Sequence, residues 1–288
     1  MFYETLAKEI DLPLDFLDEL MNLYEKIGDL SDLQDKLFDP DYSESLEDEL
    51  KERAKEADIH HYTYAFYLLF IAGKRLHEAY EIHGIEEHIF FDTMKDLVYK
   101  LKECQTMYNI SGTFVFGWFP DFYRLKRFAL GRFQYDVSTY PSESYEKFGL
   151  SIKKGDVAYG LHIPSSGPLT QEECHESYLK AFNFFGQEPL VVWCQSWLLN
   201  PHHREFLPEK SNMVQFLNDF DIISYASPQE KFGDAWRVFG NVENVEAADW
   251  PEETGLQRGY KDHVLKGGPV GEWLGVLVFD GKKVLNKN

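Results

Sequence analysis

The stretch VAYGLHIPSSGPLTQEECHESYLKAFNFFGQEPLVVWCQSWLL, residues 157–199, changes its period twice. At its start Val157, Tyr159, Leu161 and Ile163 fall on one face and His162 on the other, the alternation of a half-buried strand. A small-residue turn, SSGPL, follows. Thr170 and Glu173 then stand at capping-box spacing, and Cys174, Tyr178, Ala181, Phe182 and Phe185 make one apolar stripe at helical period. Gly186 closes that helix, and PLVVWCQSWLL (189–199) is a near-continuous apolar run, as expected of a strand buried on both faces. Strand, turn, helix and buried strand in this order predict two neighbouring parallel strands of one mixed sheet, joined by the 170–185 helix in a right-handed crossover.

The same half carries further elements. Arg132, Gln134 and Asp136 alternate with Phe133, Tyr135 and Val137, a half-buried strand. Asn200-Pro201 starts a short helix, Pro208 breaks it and Ser211 restarts it. DIISYA, AWRVFG and WLGVLVFD read as later strands, with a helix from Thr254 to Lys266 between the last two. The first hundred-odd residues are instead helical in pattern. Asp11 is a candidate N-cap, followed by an apolar face of Leu14, Leu17, Leu20, Met21, Tyr24 and Ile27 that ends at Gly28. A charged segment, Ser43 to Asp58, leads to a run (Tyr62–Ala72) apolar on all sides, as in a buried helix, and Gly84 would cap its end. Another helix is predicted from Asp92. The boundary between the halves falls near Tyr123, giving expected domains of 1–123 and 124–288. The 62–72 run should hold the halves together, and proteases should cut first in the acidic stretch Asp39 to Lys55.

Charge narrows the function classes. Forty-nine acidic against 29 basic side chains in 288 residues give a formal net charge of −20. Nucleic acid and anionic membrane surfaces need Lys and Arg partners, so both are disfavoured, and a small or neutral partner is favoured. The three cysteines, Cys104, Cys174 and Cys194, are widely spaced and form no disulfide framework or zinc ribbon, which suits a reducing cytoplasm. The N-terminus lacks the order of a signal peptide, and no apolar run is long enough to span a bilayer. A cytoplasmic location is expected. Adjacent histidines, His60-His61 and His202-His203, point about 100° apart on a helix, so no metal is expected.

Phosphate signatures are absent: there is no Walker A sequence and no G-x-G-x-x-G between a strand and a helix. Gly267, Gly268 and Gly271 follow a helix and precede a strand, an order that suits a helix C-cap better than a phosphate loop. The turn after His162 admits two readings. Its backbone N–H groups and the first turn of the next helix could form an anion nest, or it is an ordinary connector whose Glu172 and Glu173 already satisfy the positive helix end.

Several separated blocks carry a resemblance. YRLKRFALGRFQYDV (123–137), GLHIPSSGPLTQEECHESYLKAFNFF (160–185), WCQSWLLNP (193–201) with FLPEKSNMVQFLNDF (206–220), and ETGLQRGYKDHVLKGG (253–268) occur in order. Together with GIEEHIFFDTMKDLVYKLKECQTMYNISG (84–112), they resemble a family of bacterial acyltransferase-domain proteins, over about Ile82 to Gly268. That family joins a helical N-acyltransferase N-terminal domain to a GNAT-like C-terminal domain. The resemblance implies an α+β fold, a helical domain packed on a GNAT-like mixed sheet, and an acyl-CoA or acetyl-CoA donor. It also implies departures. Where GNAT proteins carry R/Q-x-x-G-x-G/A, this chain has Pro164-Ser165-Ser166-Gly167-Pro168, with one glycine, no basic residue, and one N–H lost to Pro168.

Two functions follow as expectations. The first is an acyl-CoA-dependent N-acyltransferase acting on a small-molecule amine. The donor would then pair with main-chain groups of Leu161 and Ile163 and set its pyrophosphate near Ser165, Ser166 and Gly167. His162 would be the base, Tyr225 an acid toward the thiolate, and Gln195 and Ser196 would orient the acceptor. His162 also reads as a structural histidine, and Tyr225 as a core tyrosine. The second is a non-catalytic small-molecule binding or sensor module on a degenerate GNAT-like fold, recognisable by a groove filled with Trp193 or Trp197.

Overall fold

An apolar surface on every side of a helix must be covered on every side, and the Tyr62–Ala72 run shows how the first half achieves this. In the computed structural model, which describes residues 2–41 and 45–287, it forms the body of a 22-residue helix whose side chains from Thr63 to Gly73 are all buried. The chain divides into two units, residues 1–130 and 131–288. In the first unit α1 (Phe2–Glu9), α2 (Leu14–Ile27), α3 (Ser31–Phe38), α4 (Ser45–Glu56), α5 (His61–Ile82), α6 (Glu87–Tyr108), the single turn α7 (Pro120–Tyr123) and the strand β1 (Arg127–Leu130) follow one another.

Local chemistry sets the ends of these helices. Gly84 takes φ +66° just past α5, the left-handed conformation that closes a helix. His60 caps the start of α5, its Nδ1 accepting from the Tyr62 N–H at 3.1 Å. Two expectations are corrected. Asp11 is not the cap of α2; Pro13 stands at that position while Asp11 turns the chain at φ +59°. α6 begins at Glu87 rather than Asp92, because Ile89 and Phe90 already belong to its buried face. Of the acidic stretch expected to be cut first, Tyr42–Glu44 lie outside the described residues. The part from Ser45 onward is α4, which buries Leu46, Leu50 and Ala54 and pairs Glu49 with Lys36 at 2.5 Å and with Arg53 at 2.8 Å.

The second unit contains β2 (Phe133–Thr139), β3 (Ser144–Lys147), β4 (Leu150–Lys153), β5 (Val157–His162), α8 (Gln171–Phe185), β6 (Leu190–Ser196), α9 (His203–Phe206), α10 (Asn212–Leu217), β7 (Asp221–Gln229), α11 (Ala235–Phe239), α12 (Gly255–Leu265) and β8 (Val270–Phe279). Its sheet runs in the order β2-β5-β6-β8-β7, with β5 and β6 parallel and the other neighbours antiparallel. The expected parallel pair joined by a helix is therefore present. AWRVFG is corrected from strand to helix α11: Ala235 and Phe239 are buried while Arg237, which a strand would place on their face, is exposed, and Gly240 at φ +76° ends the turn.

Each face of the sheet has its own cover. On one, α8 lays Tyr178 on Phe133 and Phe185 on Tyr159, and the Ser177 hydroxyl lies 3.1 Å from both the Phe133 N–H and the Tyr135 hydroxyl. On the other, Tyr140, Tyr145 and Ile152 pack with Ala158, Val191, Val276 and Val278. The β3–β4 hairpin is fastened there by Asp221, whose carboxylate accepts from Tyr145 Oη at 2.8 Å and from Lys147 Nζ and Asn286 Nδ2 at 2.7 Å each. That cover reaches only part of the face.

In the first unit, Gly112 presses its backbone on the start of α5. A β-carbon there would stand 2.4 Å from the Tyr62 carbonyl carbon, while Thr113 N–H donates to the Tyr62 carbonyl at 3.0 Å. Gly112→Ala should destabilise the protein by about 1–3 kcal/mol, the ordinary cost of overpacking. Urea unfolding followed by circular dichroism reads it, and an unchanged midpoint would show that this contact yields freely.

Candidate active site

The ladder between β5 and β6 is short. It registers Tyr159 with Val192 and Gly160 with Trp193, after which β5 runs on to His162 and β6 to Ser196. Each strand keeps its antiparallel neighbour to the end, with Gln134 opposite His162 and Trp273 opposite Ser196. Two strands held from outside but no longer to each other open a wedge at their carboxyl ends, where ligands gather in open sheets.

The register also assigns faces. Gly160 and Trp193 share one, so His162 and Gln195, each two residues on, share it too. Asp136 and Gln134 join them from β2, and Leu274 and Glu272 from β8. On this face His162 Nε2 stands 2.5 Å from Asp136 Oδ2. An ionised carboxylate only accepts, so Nε2 carries the ring proton and Nδ1 presents the lone pair. Gln195 Nε2 donates to Glu272 Oε2 at 2.8 Å. Gln134 is 1% exposed, and its Oε1 has no hydrogen-bond partner among the described residues.

The turn that follows β5 is built around a buried arginine. Arg132 donates from Nη1 to the Pro164 carbonyl at 3.0 Å, from Nη2 to that of Gly167 at 2.7 Å, and from Nε to that of Pro168 at 3.1 Å. Three carbonyl dipoles thus end on one guanidinium, while Ser165, Ser166 and Gly167 stay exposed, Gly167 at φ +131°. Thr170 caps α8 through the Glu173 N–H at 3.3 Å, and its hydroxyl donates to the Glu173 carboxylate at 2.5 Å. The positive end of α8 is therefore occupied by the chain's own groups.

The structure separates the remaining sequence candidates. Leu161 is buried beside Tyr135, and Ile163 lies just beyond β5, so both border the wedge. Tyr225 stands opposite Trp273, stacked on it at 4.4 Å, and its hydroxyl donates to the Val270 carbonyl. Trp273 is also the partner of Ser196, so Tyr225 and Ser196 lie on the face away from His162. The Ser196 hydroxyl accepts from the Leu198 N–H at 3.2 Å. Neither joins the His162 constellation. Trp193 does not fill the wedge: its Nε1 donates to Ser138 Oγ at 3.1 Å, beside Ala158 at the other end of β5. Trp197 packs away among Phe232, Tyr260 and His203.

Asp136, Glu272 and the clasp by Arg132 escaped the sequence reading. Asp136 was within reach of it, because pairing the polar face of 132–136 against that of His162 places the two side by side. No signal of comparable strength pointed to Glu272, whose place depends on β8 pairing with a strand 77 residues earlier, as in the register of Ser196 with Trp273.

Thiols can be set aside as nucleophiles. Burial pushes Cys104 up to about 11, Cys174 up to about 12, and Cys194 further still, so none supplies a thiolate at neutral pH. Burial likewise drives His203 down to about 3, which keeps that ring neutral. Among the described residues no group of three or more His, Cys, Asp or Glu side chains is placed to hold a metal ion, and no helix is long and apolar enough to cross a membrane.

Residues 127–277 match the GNAT-like C-terminal domain, and residues 1–125 match the N-acyltransferase N-terminal domain. The chain belongs to the GNAT-like C-terminal domain family. Its composition, with the helical domain in front, is that of an N-acyltransferase. Among solved structures, an acyltransferase in complex with decanoyl-CoA and teicoplanin is 19% identical, with a TM-score of 0.66 over 96% of this chain and 99% of that one. A mutant acyltransferase in complex with octanoyl-CoA is 20% identical, with a TM-score of 0.65 over the same 96% and 99%. At these identities the likeness is one of fold. No curated protein matches by sequence.

The Asp136 contact predicts a tautomer that can be seen without any substrate. In this N-acyltransferase-type chain, imidazole nitrogen spectra should show His162 protonated at Nε2 while neutral, and Asp136→Asn should remove that preference. An unchanged spectrum would break the link between the two residues.

Proposed function

We propose that the protein transfers an acyl group from acyl-CoA to the amine of a small molecule, with the donor lying in the wedge between β5 and β6. The observation that carries this reading is the end of the parallel ladder at Gly160 and Trp193, with the His162–Asp136 pair on the face beside it. An extended pantetheine arm is shaped to continue such an interrupted ladder. Its path would run along Leu161 and Ile163 toward the turn at Ser165, Ser166 and Gly167.

The chemistry follows from the charges. The amine must lose a proton to attack the thioester carbonyl, and Nδ1 of His162 is the acceptor that Asp136 orients and supports once the ring is cationic. The first proton leaves through His162 to water; the nitrogen–carbon bond then forms, the carbon–sulfur bond breaks, and the second proton, shed as the nitrogen becomes an amide, passes through His162 to the departing CoA thiolate. Buried, protonated cysteines favour this direct transfer over an acyl-cysteine intermediate. Glu272, held by Gln195, is a carboxylate that attracts an ammonium group to the same face. The unsatisfied Gln134 Oε1 would accept an N–H from the incoming amine; left alone, such a buried acceptor costs about 1–3 kcal/mol. The decanoyl- and octanoyl-CoA held by the similar structures make medium-chain acyl groups the first donors to try. Teicoplanin in one of them supports an amine-bearing small molecule as the acceptor class.

Calorimetry with octanoyl-CoA, followed by a thiol-release assay over a panel of amines, tests the proposal. Wild-type protein should bind the donor and release CoA in the presence of an accepted amine. Gly167→Val forces a branched side chain to φ +131°, where nothing else crowds it, and should weaken donor binding about tenfold or more with the fold retained. His162→Ala should keep donor affinity and lose about 10²–10⁴-fold in rate. No affinity for acyl-CoA at millimolar concentration in the wild type would refute the reading.

A further inference from the structure

The turn after β5 lacks the basic residue of a pyrophosphate loop, and Arg132, the cation beneath it, is engaged with three carbonyls. A second arginine reaches the turn from elsewhere. Arg237 of α11 donates from Nη1 to Ser165 Oγ at 3.3 Å, from Nε to Asp234 Oδ1 at 2.9 Å, and lies 4.1 Å above the Trp236 ring. Ala235 and Phe239 anchor α11 in the cluster that also buries Trp197, the residue that follows β6 directly. Arg237 therefore reaches the turn after β5 from an element that packs in one cluster with the residue following β6.

We infer that Arg237 is the cation that binds the phosphates of the donor, supplied across the wedge from α11 in place of a basic residue within the turn. This rests on the acyl-CoA reading and adds to it a specific residue and a way of working. Three features fit that role. The side chain is about one-third exposed, so a ligand can reach it. Asp234 and Trp236 orient the guanidinium, which reduces the ordering that phosphate binding would otherwise require. Its bond to the uncharged Ser165 hydroxyl is long, and a phosphate oxygen in the same position would give a shorter bond between opposite charges. The guanidinium would then close over the donor as it binds. The acidic α8 start, already satisfied by Thr170, needs no part in this.

Two donors separate this role from a structural one. Octanoyl-CoA carries the phosphates, whereas S-octanoyl-pantetheine has the same thioester and arm without them. Arg237→Gln should weaken octanoyl-CoA binding about tenfold or more and flatten its salt dependence, while turnover of S-octanoyl-pantetheine stays at the wild-type level. Asp234→Asn, whose amide oxygen can still accept from Nε and orient the guanidinium while the competing negative charge is gone, should tighten octanoyl-CoA binding severalfold. It also keeps the test open should the Gln variant fail to fold. Equal loss with both donors, unchanged octanoyl-CoA binding in Arg237→Gln, or weaker binding in Asp234→Asn would each overturn the inference. If wild-type protein binds octanoyl-CoA and only the Arg237 effects are missing, this inference falls alone. If wild-type protein binds neither donor, the acyl-CoA reading falls with it.

Discussion

Trp193 lies closely against β5 at position 160, which has no β-carbon. One placed there would meet Trp193 Cζ2 at 3.1 Å, inside the distance that all but the tightest packing tolerates. The indole then donates to Ser138, and Ser138 to the Ala158 carbonyl, so the last rung of the parallel ladder is tied to the strand beyond it. Past that rung nothing continues the pairing, because β5 stays with β2 and β6 with β8. The wedge opens just beyond this last close approach of the two strands. A β-carbon at 160 would require Trp193 to give by a few tenths of an ångström.

The strand–helix–strand unit was legible because periodicity reports burial. Residues 157–199 announce strand, helix and strand through alternation, a stripe and a solid apolar run, and the structure places all three accordingly. Thr170 was legible for the same kind of reason, a local bond with a local signature. AWRVFG failed because six residues with two aromatics fit either period, and only the exposure of Arg237 between buried Ala235 and Phe239 decides between them. Tyr225 failed differently. Its strand was recognised, but the side it faces depends on register with β8 and on two bulges in β7, neither of which leaves a mark in one sequence.

The mistaken element and the missing cation are one problem. Read as a strand, 235–240 would spread Arg237 along a sheet; as a single helical turn it gathers Asp234, Trp236 and Arg237 at one spot. A motif search looks for the basic residue inside the turn, next to the glycine. Here the turn keeps its shape by giving its carbonyls to Arg132, and the cation that faces it belongs to a segment 72 residues away in sequence from Ser165. Function distributed between two elements in this way is invisible to any local pattern.

A protein of net charge −20 that takes a polyanionic donor and an amine must solve an electrostatic conflict. Its overall field repels the donor and attracts the acceptor. At physiological ionic strength that field fades over about 8 Å, so what a bound group feels is set by its nearest neighbours. The wedge divides them by sign. Arg132 and Arg237 gather at the turn, where the donor's phosphates would lie. Asp136, His162 and Glu272 stand on the sheet face, where an amine would arrive as a cation and leave as an amide. Neutralising the amine is then the step the site must provide, and the imidazole supported by Asp136 is the group on that face suited to take the proton. On the proposed reading the global charge favours the acceptor, and Arg237, beside a turn shaped by Arg132, would hold the donor against it.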